Sequence, residues 1–127
     1  MSAMLERSMP QIGSEMHAMI VADRDGIIRE WNIAAEHIFG YPASEAIGRT
    51  LDLIVSEEER DDHWRNYRRV IATNIINYSP DHILDVEGVR KDGSRVTLDA
   101  MLKPTHDASG RITAITARFH EAGIATA

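Results

Sequence analysis

The chain has 127 residues, with six histidines and no cysteine, and this sets the chemistry it can offer. Without cysteine there is no thiolate nucleophile, no disulfide and no sulfur-ligated metal. No two histidines stand in a His-x-x-x-His pair, no carboxylates cluster at metal-site spacing, and no glycine-rich phosphate loop is present. No nucleophile stands beside a base, so catalysis is not expected. Two histidines are placed to meet a ligand. His63 falls at helical spacing with Tyr67, Val70 and Ile71, on the apolar face of one helix. His82 shares strand parity with Leu84 and Val86, an inward set. A neutral imidazole in apolar surroundings keeps a free lone pair that accepts a hydrogen bond or coordinates a metal. The plainer alternatives are a hydrogen-bonded, half-buried helix histidine at His63 and a strand-edge histidine beside the Asn77–Pro80 loop at His82. His17, His37, His106 and His120 are scattered and read as solvated or structural.

These side chains need elements to position them. Residues 2–9 fit a short helix with Met4, Leu5 and Met9 as its apolar stripe, interrupted by Pro10 and Gly13. Residues 17–23 and 27–31 read as strands joined by Arg24-Asp25-Gly26, because Asp-Gly suits a tight hairpin turn. Asn32 caps a helix over 33–39 that ends at Gly40. Pro42 to Ile47 gives another short helix, and residues 50–54 one further turn. Ser56 and Glu59 have capping-box spacing, predicting a long helix over 57–72 that carries His63. The acidic run Glu57 to Asp62 suits the start of that helix. Residues 82–91, 94–104 and 111–119 alternate as three more strands, with turns at Asp92-Gly93 and Ala108-Ser109-Gly110. Val96, Leu98, Ala100 and Leu102 share one face. The expected fold class is α+β: a five-stranded antiparallel sheet with the helices packed on one face and a space between them for a small molecule.

The bulk properties agree. The length suits one domain, read as an N-terminal helical extension over 1–16, a core domain over 17–121 and a tail over 122–127. Net charge is −6, with acidic residues interspersed among arginines, which argues against a nucleic-acid partner. No run approaches the ~20 apolar residues of a membrane span, and the first residues lack the basic and apolar blocks of a secretion signal. A cytoplasmic protein is expected. Met4, Leu5, Met9 and Ile12 leave apolar surface uncovered within one domain, which predicts a homodimer through residues 1–16.

Several separated motifs resemble the PAS family. Asp25 through Glu36 (DGIIREWNIAAE) is similar to that family's strand–helix signature, and Ile38-Phe39-Gly40-Tyr41 with Glu45-Ala46-Ile47-Gly48 continues it. Arg90-Lys91-Asp92-Gly93-Ser94 resembles its later hairpin, and Pro104 through Gly110 its last turn. The resemblance runs from about residue 15 to 121. It implies a PAS fold and a sensing or dimerisation role within a signalling protein, with an effector domain or protein as a further partner. The flavin photosensors and yellow photoreceptors among its members need a cysteine, which is missing here. The stretch Arg60-Asp61-Asp62-His63 with Tyr67 is similar to the proximal-histidine helix of the oxygen-sensing heme group. That resemblance implies heme as the cofactor, with His63 as the axial metal ligand against a wall of Tyr67, Val70 and Ile71. His82 then approaches from the sheet beside Leu84 and Val86. Many of those oxygen sensors carry an arginine on this strand, where the present chain has His82, Leu84 and Val86. The alternative is a ligand-free dimerisation or interaction module with a packed interior.

Overall fold

The computed structural model describes residues 17–122. The expected helical extension and its dimer contact, over residues 1–16, lie outside the described residues. Strand β1 (Ala18–Asp23) buries every second residue, Ala18, Ile20 and Ala22. Asp23 then shapes the turn: its Oδ1 accepts the N–H groups of Asp25 and Ile27 at 2.9 and 3.0 Å, and Gly26 takes φ 77. The chain returns as β2 (Ile28–Trp31).

Asn32 does three jobs at once. Its Oδ1 accepts from Ala35, capping helix α1 (Ile33–Phe39), and also from Met19 of β1, each at 2.9 Å. Its Nδ2 donates to the His17 carbonyl. Asn32→Ala is therefore expected to cost about 2–3 kcal/mol, a lost cap plus a lost strand tie. Asn32→Asp, which keeps the acceptor, is expected to recover most of it. Urea unfolding of both variants checks this, and equal losses would show that the acceptor bonds contribute little.

After Gly40 come a short helix α2 (Ala43–Ala46) and two 3₁₀ turns, Leu51–Leu53 and Glu57–Glu59. The long helix α3 (Arg60–Thr73) follows. The capping box expected at Ser56 does not form. Ser56 is buried at 2 % exposure, its hydroxyl has no partner, and its carbonyl takes the Glu59 N–H in a tight turn. That tightening moves the start of the α-helix from residue 57 to Arg60.

Strands β3 (Leu84–Val89), β4 (Arg95–His106) and β5 (Ile112–Glu121) complete a five-stranded sheet in the order β2-β1-β5-β4-β3, every neighbouring pair antiparallel. The α+β expectation holds. One sheet face carries Ile20, Val96, Leu98, Ala100, Ile112, Ile115 and Phe119 into the core. Phe39, at the end of α1, fills its centre: its ring lies 5.6 Å from Trp31 and 5.8 Å, edge-on, from Phe119. β3 is shorter than the predicted 82–91. The Ser79 carbonyl accepts the His82 N–H, closing a turn around Pro80-Asp81, so His82 precedes the strand.

Candidate functional site

Helix α3 presents one face inward. Tyr67 is buried, while His63, Trp64, Val70 and Ile71 are half-buried. Asp61, Asp62, Arg65, Asn66, Arg68 and Arg69 point to solvent. This is the face that helical spacing defines.

Three contacts tie α3 down along one side. The Trp64 indole lies over Gly26 and its Nε1–H donates to Asp52 Oδ1 at 2.7 Å. The Tyr67 hydroxyl donates to the Asp23 carbonyl at 2.5 Å, and burial, with Asp23 and Asp25 nearby, pushes its pKa well above the usual phenol range. Asn74 ends the helix in the left-handed region, and its Oδ1 accepts the Ile112 N–H at 2.8 Å. Part of the apolar set around this core is less fully covered. Val70 and Ile71 on α3, Leu84 and Val86 on β3, Leu102 on β4 and Ala117 on β5 are apolar and packed against the core, yet only half-buried. Register puts the strand members on one sheet face: Leu84 opposes Ala100, Val86 opposes Leu98 and Leu102 opposes Ala117. Large apolar side chains left partly exposed on an inward face mark a strip that is not fully sealed.

His63 shares the inward face of α3 with Trp64 and Tyr67. Its ring lies 4.9 Å, edge-on, from Trp64 and 5.8 Å from Tyr67. Its Nδ1 is buried and has no hydrogen-bond partner. Burial lowers its pKa, with Asp52 pulling weakly the other way, so the ring is neutral at pH 7. The folded-state pKa thus lies below the unfolded value of 6.5. The unfolded chain binds the proton first, so stability is full above that pH and falls as pH drops through it. His63→Leu is expected to flatten the stability profile between pH 7 and 5, by at most about 1.4 kcal/mol per pH unit. An unchanged slope in denaturant midpoints would contradict this.

Each predicted site residue has a definite place. His63, Tyr67, Val70 and Ile71 share the inward face of α3, and Leu84 and Val86 face the core from β3. His82 does not join them: it is exposed and stacks on Tyr78, rings 5.0 Å apart and 14° from parallel. Sequence reasoning missed Trp64, Asp52 and Gly26, the contacts that fix α3. The one available signal was an indole beside the apolar stripe. A separate hollow of about 400 Å³ lies between the end of α1 and the β3–β4 hairpin. Its two basic groups are already paired, Arg90 with Glu121 at 2.6 Å and Lys91 with Glu45 at 2.9 Å.

A five-stranded antiparallel sheet with short helices between its second and third strands defines one class. The chain belongs to the PAS fold family, whose profile matches residues 12–122. Among curated proteins it is similar to the sensor protein FixL of Bradyrhizobium diazoefficiens, 37 % identical over 81 residues, which cover 61 % of this chain and 15 % of that protein. The chain spans only 14 % and 15 % of two curated relatives that it matches. Among solved structures, the PAS domain of a protein from Colwellia psychrerythraea superposes with a TM-score of 0.72 at 16 % identity, covering 93 % of this chain and 96 % of that one. The PAS domain of the Cronobacter turicensis RpfR quorum-sensing receptor, in complex with C12:0, superposes at 0.64 with 18 % identity, covering 84 % and 94 %. No described helix is long and apolar enough to cross a membrane.

Proposed function

We propose that this domain is the ligand-binding sensory module of a signalling protein, and that heme is its ligand, held through His63. The observation that carries this reading is the buried, unpartnered His63 Nδ1 beside half-buried apolar side chains. A buried polar atom without a partner costs free energy unless something completes it. A metal in a flat apolar macrocycle would do so, with Val70, Ile71, Leu84 and Val86 covering its faces. The likeness to a sensor protein supports the signalling role. Heme would supply an iron centre able to bind a small gas. The chain's own residues would hold the imidazole neutral and keep water away. A contribution from His82 requires the Ser79–His82 turn to swing inward, and His82→Ala reads it directly.

The test is reconstitution with hemin, followed by absorption and by quenching of tryptophan fluorescence. His63→Ala is expected to lose the Soret shift, whereas His37→Ala, at an exposed site, is expected to keep it. No uptake by the wild-type chain, or equal uptake by His63→Ala, would sink the reading and return the domain to the interaction-module alternative.

A further inference from the structure

Strand β3 ends the sheet, with β4 on one side and no strand on the other. Antiparallel pairing alternates: one residue bonds the neighbouring strand, and the next turns its N–H and C=O away. The Arg90 N–H donates to the Ser94 carbonyl, so Gly88, Val86 and Leu84 face β4 in step with it. Val89, Glu87 and Asp85 therefore face outward. The Val89 N–H is met by the Ile54 carbonyl at 3.0 Å, which closes that end of the edge. The N–H and C=O groups of Asp85 and Glu87 have no partner among the described residues. At the opposite edge the chain covers itself: the Ile28 N–H donates to the Arg49 carbonyl, and the Ile28 carbonyl accepts from Gly48. A bare row of ladder groups is a template for one more strand.

Side chains decide which strand fits. Leu84 and Val86 turn toward the core and remain only half-buried. By alternation Asp85 and Glu87 lie on the other face of the sheet, and both are exposed. Glu87 shares Arg95 with Glu58. Asp85 has no ion-pair partner among the described residues and stands directly across from Asp99 of β4, where like charges repel. We propose that the free edge of β3 docks an extended segment of a partner protein as a sixth strand, one in which lysine or arginine alternates with apolar residues. Its backbone would bond Asp85 and Glu87, and its apolar side chains would lie beside Leu84 and Val86. Its basic side chains would sit about 5 Å from the two acids and relieve the Asp85–Asp99 repulsion. A second copy of β3 is a poorer occupant, because it brings Asp85 and Glu87 against their own kind. Residues 1–16 carry Glu6 and Glu15 against a single Arg7, and residues 123–127 carry no charged side chain, so neither end of this chain supplies the alternation. Such docking goes beyond ligand sensing and needs no heme.

The experiment uses the full chain and three synthetic peptides of about seven residues, close to the usual strand length. One alternates lysine and valine. The second alternates glutamate and valine. The third is the lysine peptide with its central valine replaced by proline, which keeps the charge and breaks the ladder. Calorimetric titration gives the affinities, and amide hydrogen exchange followed by NMR gives the location. The lysine–valine peptide is expected to bind and to slow exchange at the Asp85 and Glu87 amides about tenfold or more. The glutamate peptide is expected not to bind, and the proline peptide to bind about tenfold more weakly. Asp85→Pro removes an outward N–H without touching the β3–β4 ladder, and is expected to weaken binding about fivefold. Asp85→Lys serves if the proline variant misfolds: it is expected to weaken the lysine peptide about tenfold and to admit the glutamate peptide. Equal binding of the lysine and proline peptides would show charge attraction without strand addition and overturn the proposal. No binding of the lysine peptide, protection confined to other amides, or unchanged affinity in the folded variants would overturn it too. A dimer in sedimentation that Asp85→Pro dissolves would also do so, since the occupant would then be a second copy.

Discussion

Phe39→Ala is expected to lower the stability of the domain by about 3–5 kcal/mol. Phe39 is fully buried, with its ring between Trp31 and Phe119. It also contacts Gly88 on β3, where an added Cβ would lie 3.0 Å from the ring. The side chain therefore joins α1, the first hairpin and both ends of the sheet order. No neighbour is free to collapse into the hole, because the surrounding groups belong to paired strands. A domain of this size has about 5–15 kcal/mol in total, so the variant is expected to be partly unfolded at 37 °C. Phe39→Leu, which refills most of the volume, is expected to recover more than half of the loss. Equilibrium urea unfolding measures both. A cost below about 1 kcal/mol for Phe39→Ala would mean that this ring is not the centre of the core.

Gly26→Ala is expected to cost about 2–4 kcal/mol, from two separable sources. The first is backbone: at φ 77 an L side chain is strained. The second is steric: an added Cβ would lie 2.2 Å from Trp64 Cη2 and 2.3 Å from Cζ3, so the indole has to move. Moving it breaks the bond to Asp52 and loosens the first turns of α3, which carry His63. In a Trp64→Ala background the steric part vanishes, and the same glycine substitution is expected to cost only about 1–2 kcal/mol. Full additivity in this double-mutant cycle would show that the contact is not energetically coupled.

The hairpin and the first helix were legible because their signals are local. Asp25-Gly26 sets the turn, and Asn32 and Gly40 bound a helix that runs over 33–39 as expected. Helical spacing also placed His63, Tyr67, Val70 and Ile71 on one face. The misreadings arose where two local signals competed. Strand parity put His82 inward, but the turn around Pro80 closes first and leaves it outside β3. Capping-box spacing put Ser56 at a helix start, but burial of that residue turned its backbone into a 3₁₀ step. The anchoring of α3 could not be read at all. Gly26 and Trp64 are distant in sequence, and nothing in either residue's neighbourhood names the other.

The arrangement of β1 beside β5 also sets how the domain answers to force. These strands are antiparallel neighbours at the centre of the sheet, and Ala18 at the start of one is paired with Phe119 near the end of the other. Tension applied at Ala18 and Glu121 would pull across the strands, along the direction of their hydrogen bonds. The ladder would then open one rung at a time from that end, like a zip, and no group of bonds would share the load. Mechanical resistance in this direction is therefore small, whatever the thermal stability. A pull of this kind would reach the His17–His120 end first and travel toward the Asp23–Ala114 pair, the pair adjoining the Asp23 carbonyl to which Tyr67 of α3 is bound.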